Sequence, residues 1–135
     1  MIRIRALDHV VLRTANADKM VAFYCDVLGC TVERQLSPEF GLVQLRAGES
    51  LIDIVSIDGA IGRRGGAPPG KEGRNMEHFC VRLEQFEEDA IRAHLSRFGI
   101  RGSDLEMRYG AEGNGPSIYI QDPEGNTVEL KGPPV

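Results

Sequence analysis

Between Met20 and Leu28 the apolar residues Met20, Phe23, Tyr24, Val27 and Leu28 recur at the i, i+3, i+4, i+7, i+8 spacing of one helix face. This predicts an amphipathic helix. Gly29 closes it, because a glycine just past the last periodic residue takes up the left-handed backbone conformation that ends helices. Thr14, Asn16 or Asp18 can cap its start. The period then shortens. The stretches CTVERQL, FGLVQLRA and SLIDIVSI are short, β-branched and separated by Ser-Pro or glycine-containing turns, which predicts three strands after the helix. A further strand, LDHVVLRT, precedes it.

The same order then returns. HFCVRL reads as a strand, and Ile91, His94, Leu95 and Phe98 form the stripe of a second helix followed by Gly99. IRGSDLEMRYG carries the weakest pattern of this half. SIYIQ and TVELK flank DPEGN, where Pro123 early and Gly125 late predict a tight antiparallel hairpin. The landmarks keep step: His9 and His78 are 69 residues apart, Gly29 and Gly99 are 70 apart, and Asp53 and Glu129 are 76 apart. A near-constant offset between special positions indicates a duplicated unit of one strand, one helix and three strands. We therefore expect a single domain, 1–135, built from modules 1–58 and 75–135. The glycine- and proline-rich stretch 59–74 has no hydrophobic period and reads as a linker.

Composition narrows the class without naming it. At 135 residues and a formal net charge of −4 with both signs mixed, the chain has enough length for a real core. It has no basic arm or acidic tail that would point to nucleic acid or a membrane surface. Cys25, Cys30 and Cys80 fit no zinc-binding or Cys-x-x-Cys spacing and read as free thiols in a reducing compartment. With no membrane-length apolar run and no signal-like start, the expected location is cytoplasmic.

Two strands carry residues that a core does not need. Each module opens with a histidine, His9 or His78, directly after an acid, Asp8 or Glu77. Each closes with an acid among apolar neighbours, Asp53 in LIDIV and Glu129 in TVELK. Alternation puts His9 on a face with Leu7 and Val11, Asp53 with Leu51 and Val55, and Glu129 with Thr127 and Lys131. A lone strand histidine is ordinarily a hydrogen-bonded core or rim residue. Two at equivalent places, matched by two acids, point instead to a shared site. Burying such groups without partners costs several kcal/mol, and neutral imidazole with carboxylate suits a first-row divalent ion while leaving coordination positions open. His94 has no counterpart in the first half and falls on the second helix. On the strands, Tyr119 can donate a hydrogen bond to a substrate oxygen, and Arg46, Arg82 and Gln121 are further polar positions. Arg63, Arg64, Lys71 and Arg74 make the linker cationic, the composition either of a solvated loop or of a lid over an anion.

The pattern LDHVVLRT, FYCDVLGC, LIDI, MEHFCVRL, YIQDPEGNTVEL resembles the vicinal oxygen chelate superfamily, which includes glyoxalase I, extradiol dioxygenases and bleomycin-binding proteins. The resemblance covers nearly the whole chain. It implies an α+β fold of two tandem βαβββ modules forming a cupped, mostly antiparallel β surface around one divalent metal ion (Zn, Ni, Mn, Co or Fe). It carries His9, Asp53, His78 and Glu129 onto the metal-ligand positions, with Glu129, Asp53 and Tyr119 as the residues for catalysis. The second of these positions is usually Glu or Gln, and Asp53 is shorter by about 1.5 Å, so an outer role beside a firm core of His9, His78 and Glu129 is expected for it. The implied activity is that of a metal-dependent lyase or isomerase acting by Lewis-acid-assisted proton transfer on a small oxygenated substrate. The alternatives are a metal-free small-molecule binding protein of the bleomycin-resistance type and an Fe(II) extradiol-type dioxygenase. A homodimer is the implied assembly.

Overall fold

The computed structural model describes residues 1–135. Its strands form two four-stranded sheets, one in each of two compact units, Met1–Gly70 and Lys71–Val135. In the first unit β1 (His9–Thr14) leads into α1 (Ala17–Ala22) and a π-helical turn (Phe23–Val27). β2 (Thr31–Gln35), β3 (Leu42–Ala47) and β4 (Ser50–Ser56) follow. The sheet order is β1-β4-β3-β2, with β1 parallel to β4 and the other pairs antiparallel. The second unit repeats this with β5 (His78–Arg82), α2 (Glu88–Ser96), β6 (Glu106–Gly110), β7 (Gly113–Gln121) and β8 (Thr127–Lys131), in the order β5-β8-β7-β6. β5 is parallel to β8, as β1 is to β4. The α+β architecture of two like modules expected from the sequence is therefore present.

Of the three cap candidates, Asn16 caps α1, its side chain accepting the Lys19 N–H at 3.1 Å. The helix predicted over Met20–Leu28 differs in its second half, where it widens into the π turn. That turn keeps Phe23, Tyr24 and Val27 buried together, the two aromatic rings packing edge to face at 5.0 Å. Gly29 then takes φ +75°, and the Cys30 N–H closes on the Tyr24 carbonyl at 2.9 Å. Gly99 holds the equivalent stop after α2 at φ +70°. Of the α2 stripe only Leu95 is buried, and Phe98 is exposed.

Alternation gives each sheet two unlike faces. In the first, Leu12, Ile52, Ile54 and Leu45 are buried, as are Met20 and Tyr24 of the helical segment. In the second, Ile118, Ile120, Val128 and Leu130 are buried, as is Leu95 of α2. Full burial of such a side chain contributes roughly 1.5–3 kcal/mol, so the apolar faces carry the stability. The opposite faces mix polar with apolar residues, and they hold the candidate site residues.

Part of the stretch read as a linker is a built turn. Residues Gly62–Gly65 form a 3-10 turn. The Arg13 guanidinium donates to the carbonyls of Gly62 (2.8 Å), Gly65 (3.2 Å), Gly66 (2.6 Å) and Ala67 (2.9 Å). Gly62 has no room for a side chain, since a Cβ there would stand 1.9 Å from the Ser56 carbonyl oxygen. Arg74 donates to the Glu124 carbonyl at 2.8 Å and is anchored on the β7–β8 turn instead of free in a lid.

Candidate functional site

The register places the four candidate residues in two equivalent pairs. Leu51 is the β4 partner of His9, and Asp53 lies two residues further along β4, opposite Val11. In the second module His78 pairs with Thr127, and Glu129 lies two residues further along β8, opposite Cys80. A two-residue step returns to the same face, so each module sets one histidine and one carboxylate diagonally on one face. Gln44 is cross-strand from Asp53, where Tyr119 is cross-strand from Glu129.

Both histidines are steadied by the acid before them. Asp8 and Glu77 stand just outside β1 and β5, free of strand alternation, and turn back onto the Nδ1 of their own histidine. The Asp8 contact is 2.7 Å, and Glu77 is in direct contact with His78. A carboxylate on Nδ1 fixes the tautomer that leaves Nε2 as a lone-pair donor. Sequence reasoning named these two acids only as the residues before the histidines and did not assign them this contact. The signal was present in the repeated acid–His dipeptide. Both imidazoles are raised above the ordinary histidine pKa, His9 chiefly by its bond to Asp8 and His78 chiefly by its bond to Glu77, with the Glu129 charge adding to the latter.

The two carboxylates differ in how they are satisfied. Glu129 is buried. It accepts the Ser117 hydroxyl at 2.6 Å on Oε1, and its Oε2 lies 3.2 Å from His78 Nε2. The Tyr119 ring meets the His78 ring edge-on, with centroids 5.5 Å apart. Asp53 is equally buried, and its Oδ2 accepts the Gln44 amide at 3.1 Å, but its Oδ1 has no hydrogen-bond partner. Leaving a buried polar atom unpaired costs roughly 1–3 kcal/mol, and more when the group is charged. A hydrogen-bond donor or a cation would supply the missing partner.

Arg46 and Arg82 are occupied elsewhere, by Glu33 at 3.1 Å and Glu112 at 2.6 Å, while Gln121 is exposed. His94 lies on α2 against Phe98. The cysteines are free, and burial pushes the Cys30 thiol up to about 11. No three His, Cys, Asp or Glu side chains form a cluster that would hold a metal ion, so the candidates stand as one His–carboxylate pair per module. The donor chemistry of each pair suits a divalent cation. The orphaned Asp53 Oδ1 suits one as well.

The fold and this geometry can be set beside known proteins. Human methylmalonyl-CoA epimerase, a mitochondrial protein, is 27% identical over 93% of this chain and 72% of its own length. A protein from the mobile metagenome of V. pseudocholerae superposes with a TM-score of 0.77 at 24% identity, covering 98% of this chain and 97% of its own. Lactoylglutathione lyase from Agrobacterium tumefaciens superposes with a TM-score of 0.66 at 23% identity, covering 94% and 92%. The family model of the Glyoxalase/Bleomycin resistance protein/Dioxygenase superfamily matches residues 6–130, and the chain belongs to that superfamily.

Proposed function

We propose that the protein is a metal-dependent isomerase or lyase that moves a proton on a carbon next to an oxygen-bearing group of a small substrate. The observation that carries this reading is the repetition of one His–carboxylate register in both modules, His9 with Asp53 and His78 with Glu129. A sheet has no packing reason to place these groups twice in the same register. The likeness to an epimerase and to a lyase supports the same class of chemistry.

In this reading His9, His78 and Glu129 would serve as the metal ligands, with Asp53 Oδ1 as a further donor. Length alone favours an outer role for Asp53, but its unpaired oxygen weighs the other way. The ion supplies Lewis acidity at the substrate's oxygen atoms. The protein's own groups divide the remaining work. Asp8 and Glu77 orient the imidazoles. Asp53 and Glu129 are the carboxylates at hand to take up the substrate proton. Tyr119, across from Glu129, is positioned to donate to a substrate oxygen.

The test is proton exchange. Protein loaded with Co(II), Ni(II), Mn(II) or Zn(II) is incubated in D2O with a panel of 2-substituted acyl thioesters, methylmalonyl and lactoyl compounds among them. Deuterium entry at the carbon beside the carbonyl, seen by NMR and dependent on metal, is the expected result. Tight binding of a panel member by metal-free protein, with no exchange under any loading, would instead make it a binding protein.

A further inference from the structure

We infer that Arg34 and Gln44 form a positioning relay that holds the Asp53 carboxylate by Oδ2 and leaves Oδ1 for the ion, an inference that rests on the proposed metal-dependent function. The relay runs along hydrogen bonds on one face of the first sheet. Arg34 Nε donates to Gln44 Oε1 at 2.7 Å, and Gln44 Nε2 donates to Asp53 Oδ2 at 3.1 Å. The guanidinium therefore fixes which way the Gln44 amide faces: its oxygen is bound to Arg34, so its NH2 must meet Asp53. Oδ2 is held in this way, while Oδ1 is buried without a partner.

A bulge in β2 makes the relay. The register shifts between Val32 and Arg34, so Val32 pairs with Leu45 and Arg34 with Gln44, leaving Glu33 as the extra residue. Regular alternation would put Glu33 and Arg34 on opposite faces. The bulge lets both side chains reach β3, Glu33 to Arg46 and Arg34 to Gln44. Arg46 is thereby held by Glu33, while Arg34 is committed to Gln44. The second module has no register shift between β6 and β7 and sets Tyr119 at the place of Gln44. There Glu129 is held through both oxygens by Ser117 and His78. The duplicated pairs are thus held differently: both Glu129 oxygens meet protein groups, whereas Asp53 is held by one oxygen and its other has no partner.

The experiment is Co(II) titration, followed by visible spectroscopy, of the wild-type protein and of Gln44→Leu, Arg34→Met, Arg34→Lys and Asp53→Asn. Gln44→Leu should weaken Co(II) binding roughly 10–100-fold, as loss of an outer partner of a ligand does. It should also shift the Co(II) absorption in the same direction as Asp53→Asn. Arg34→Met should act in the same sense more weakly, and Arg34→Lys, which still offers a donor to Gln44, should restore wild-type behaviour. Unchanged affinity and spectrum in Gln44→Leu would overturn the relay while leaving the metal site standing. Wild-type protein that takes up no Co(II) would overturn the functional reading instead. A crystal structure of Gln44→Leu then decides the relay alone: a turned Asp53 carboxylate upholds it, and an unmoved one overturns it.

Discussion

In the second module His78 Nε2 lies 3.2 Å from Glu129 Oε2, while Ser117 donates to Oε1 of the same carboxylate at 2.6 Å. Glu129 and Ser117 are buried, so this carboxylate depends on those two groups in place of water. Ser117→Ala removes one charge-assisted bond and leaves Oε1 bare. The expected cost is roughly 1–3 kcal/mol of stability, measured by urea denaturation of metal-free protein. Wild-type stability in the variant would mean that Glu129 draws its support from elsewhere.

The pH dependence follows from the raised histidines. Both His9 and His78 titrate above 6.5 in the folded protein, so each holds its proton to higher pH than a free imidazole does. An ion that binds neutral imidazole must displace that proton. Metal affinity should therefore begin to fall above pH 6.5 as the solution is acidified. In metal-free protein the sign is opposite: the stabilisation that the acids lend to protonated histidine is fully present below pH 6.5 and disappears as pH rises through the raised folded value. Asp8→Asn and Glu77→Gln should each move the affinity profile toward lower pH, read by metal titration across the range.

The turn clamped by Arg13 separates two otherwise similar glycines. Gly62→Ala drives a methyl group into the Ser56 backbone, an overlap that demands backbone movement and should cost at least about 1–3 kcal/mol. Gly70 has open space around its Cβ position and no positive φ, so Gly70→Ala should stay within about 0.5 kcal/mol of wild type. Equal chemical stability of the two variants would show that Gly62–Gly65 behaves as a loose connection in solution.

Much of this architecture was legible in the chain because the special residues are duplicated. His9 and His78, Asp53 and Glu129, and Gly29 and Gly99 each recur at nearly one offset, and strand alternation then places each acid on the face of its histidine. The rest depends on registers that alternation cannot specify. The extra residue in β2 lets Glu33 reach Arg46 and Arg34 reach Gln44, two positions apart on β3, and the bulge leaves no mark in hydrophobic pattern. The π turn is hidden for a similar reason, since Met20, Phe23, Tyr24 and Val27 satisfy the α-helical period equally well. The contact of Asp8 and Glu77 with their own histidines was not legible because within a strand adjacent residues face opposite ways. They escape that rule by lying one residue before β1 and β5. The 3-10 turn in the glycine-rich stretch has no apolar period, and its order comes from one distant side chain, Arg13.

The measurement closest to the central claim is the metal content of protein purified without chelators, determined by elemental analysis beside a His9→Ala, His78→Ala double variant prepared the same way. The proposed site requires a single divalent ion per chain in the wild type, and the double variant should hold none above background. Wild-type protein free of metal that also fails to take up added Co(II), or a double variant that keeps a full complement, would contradict the account.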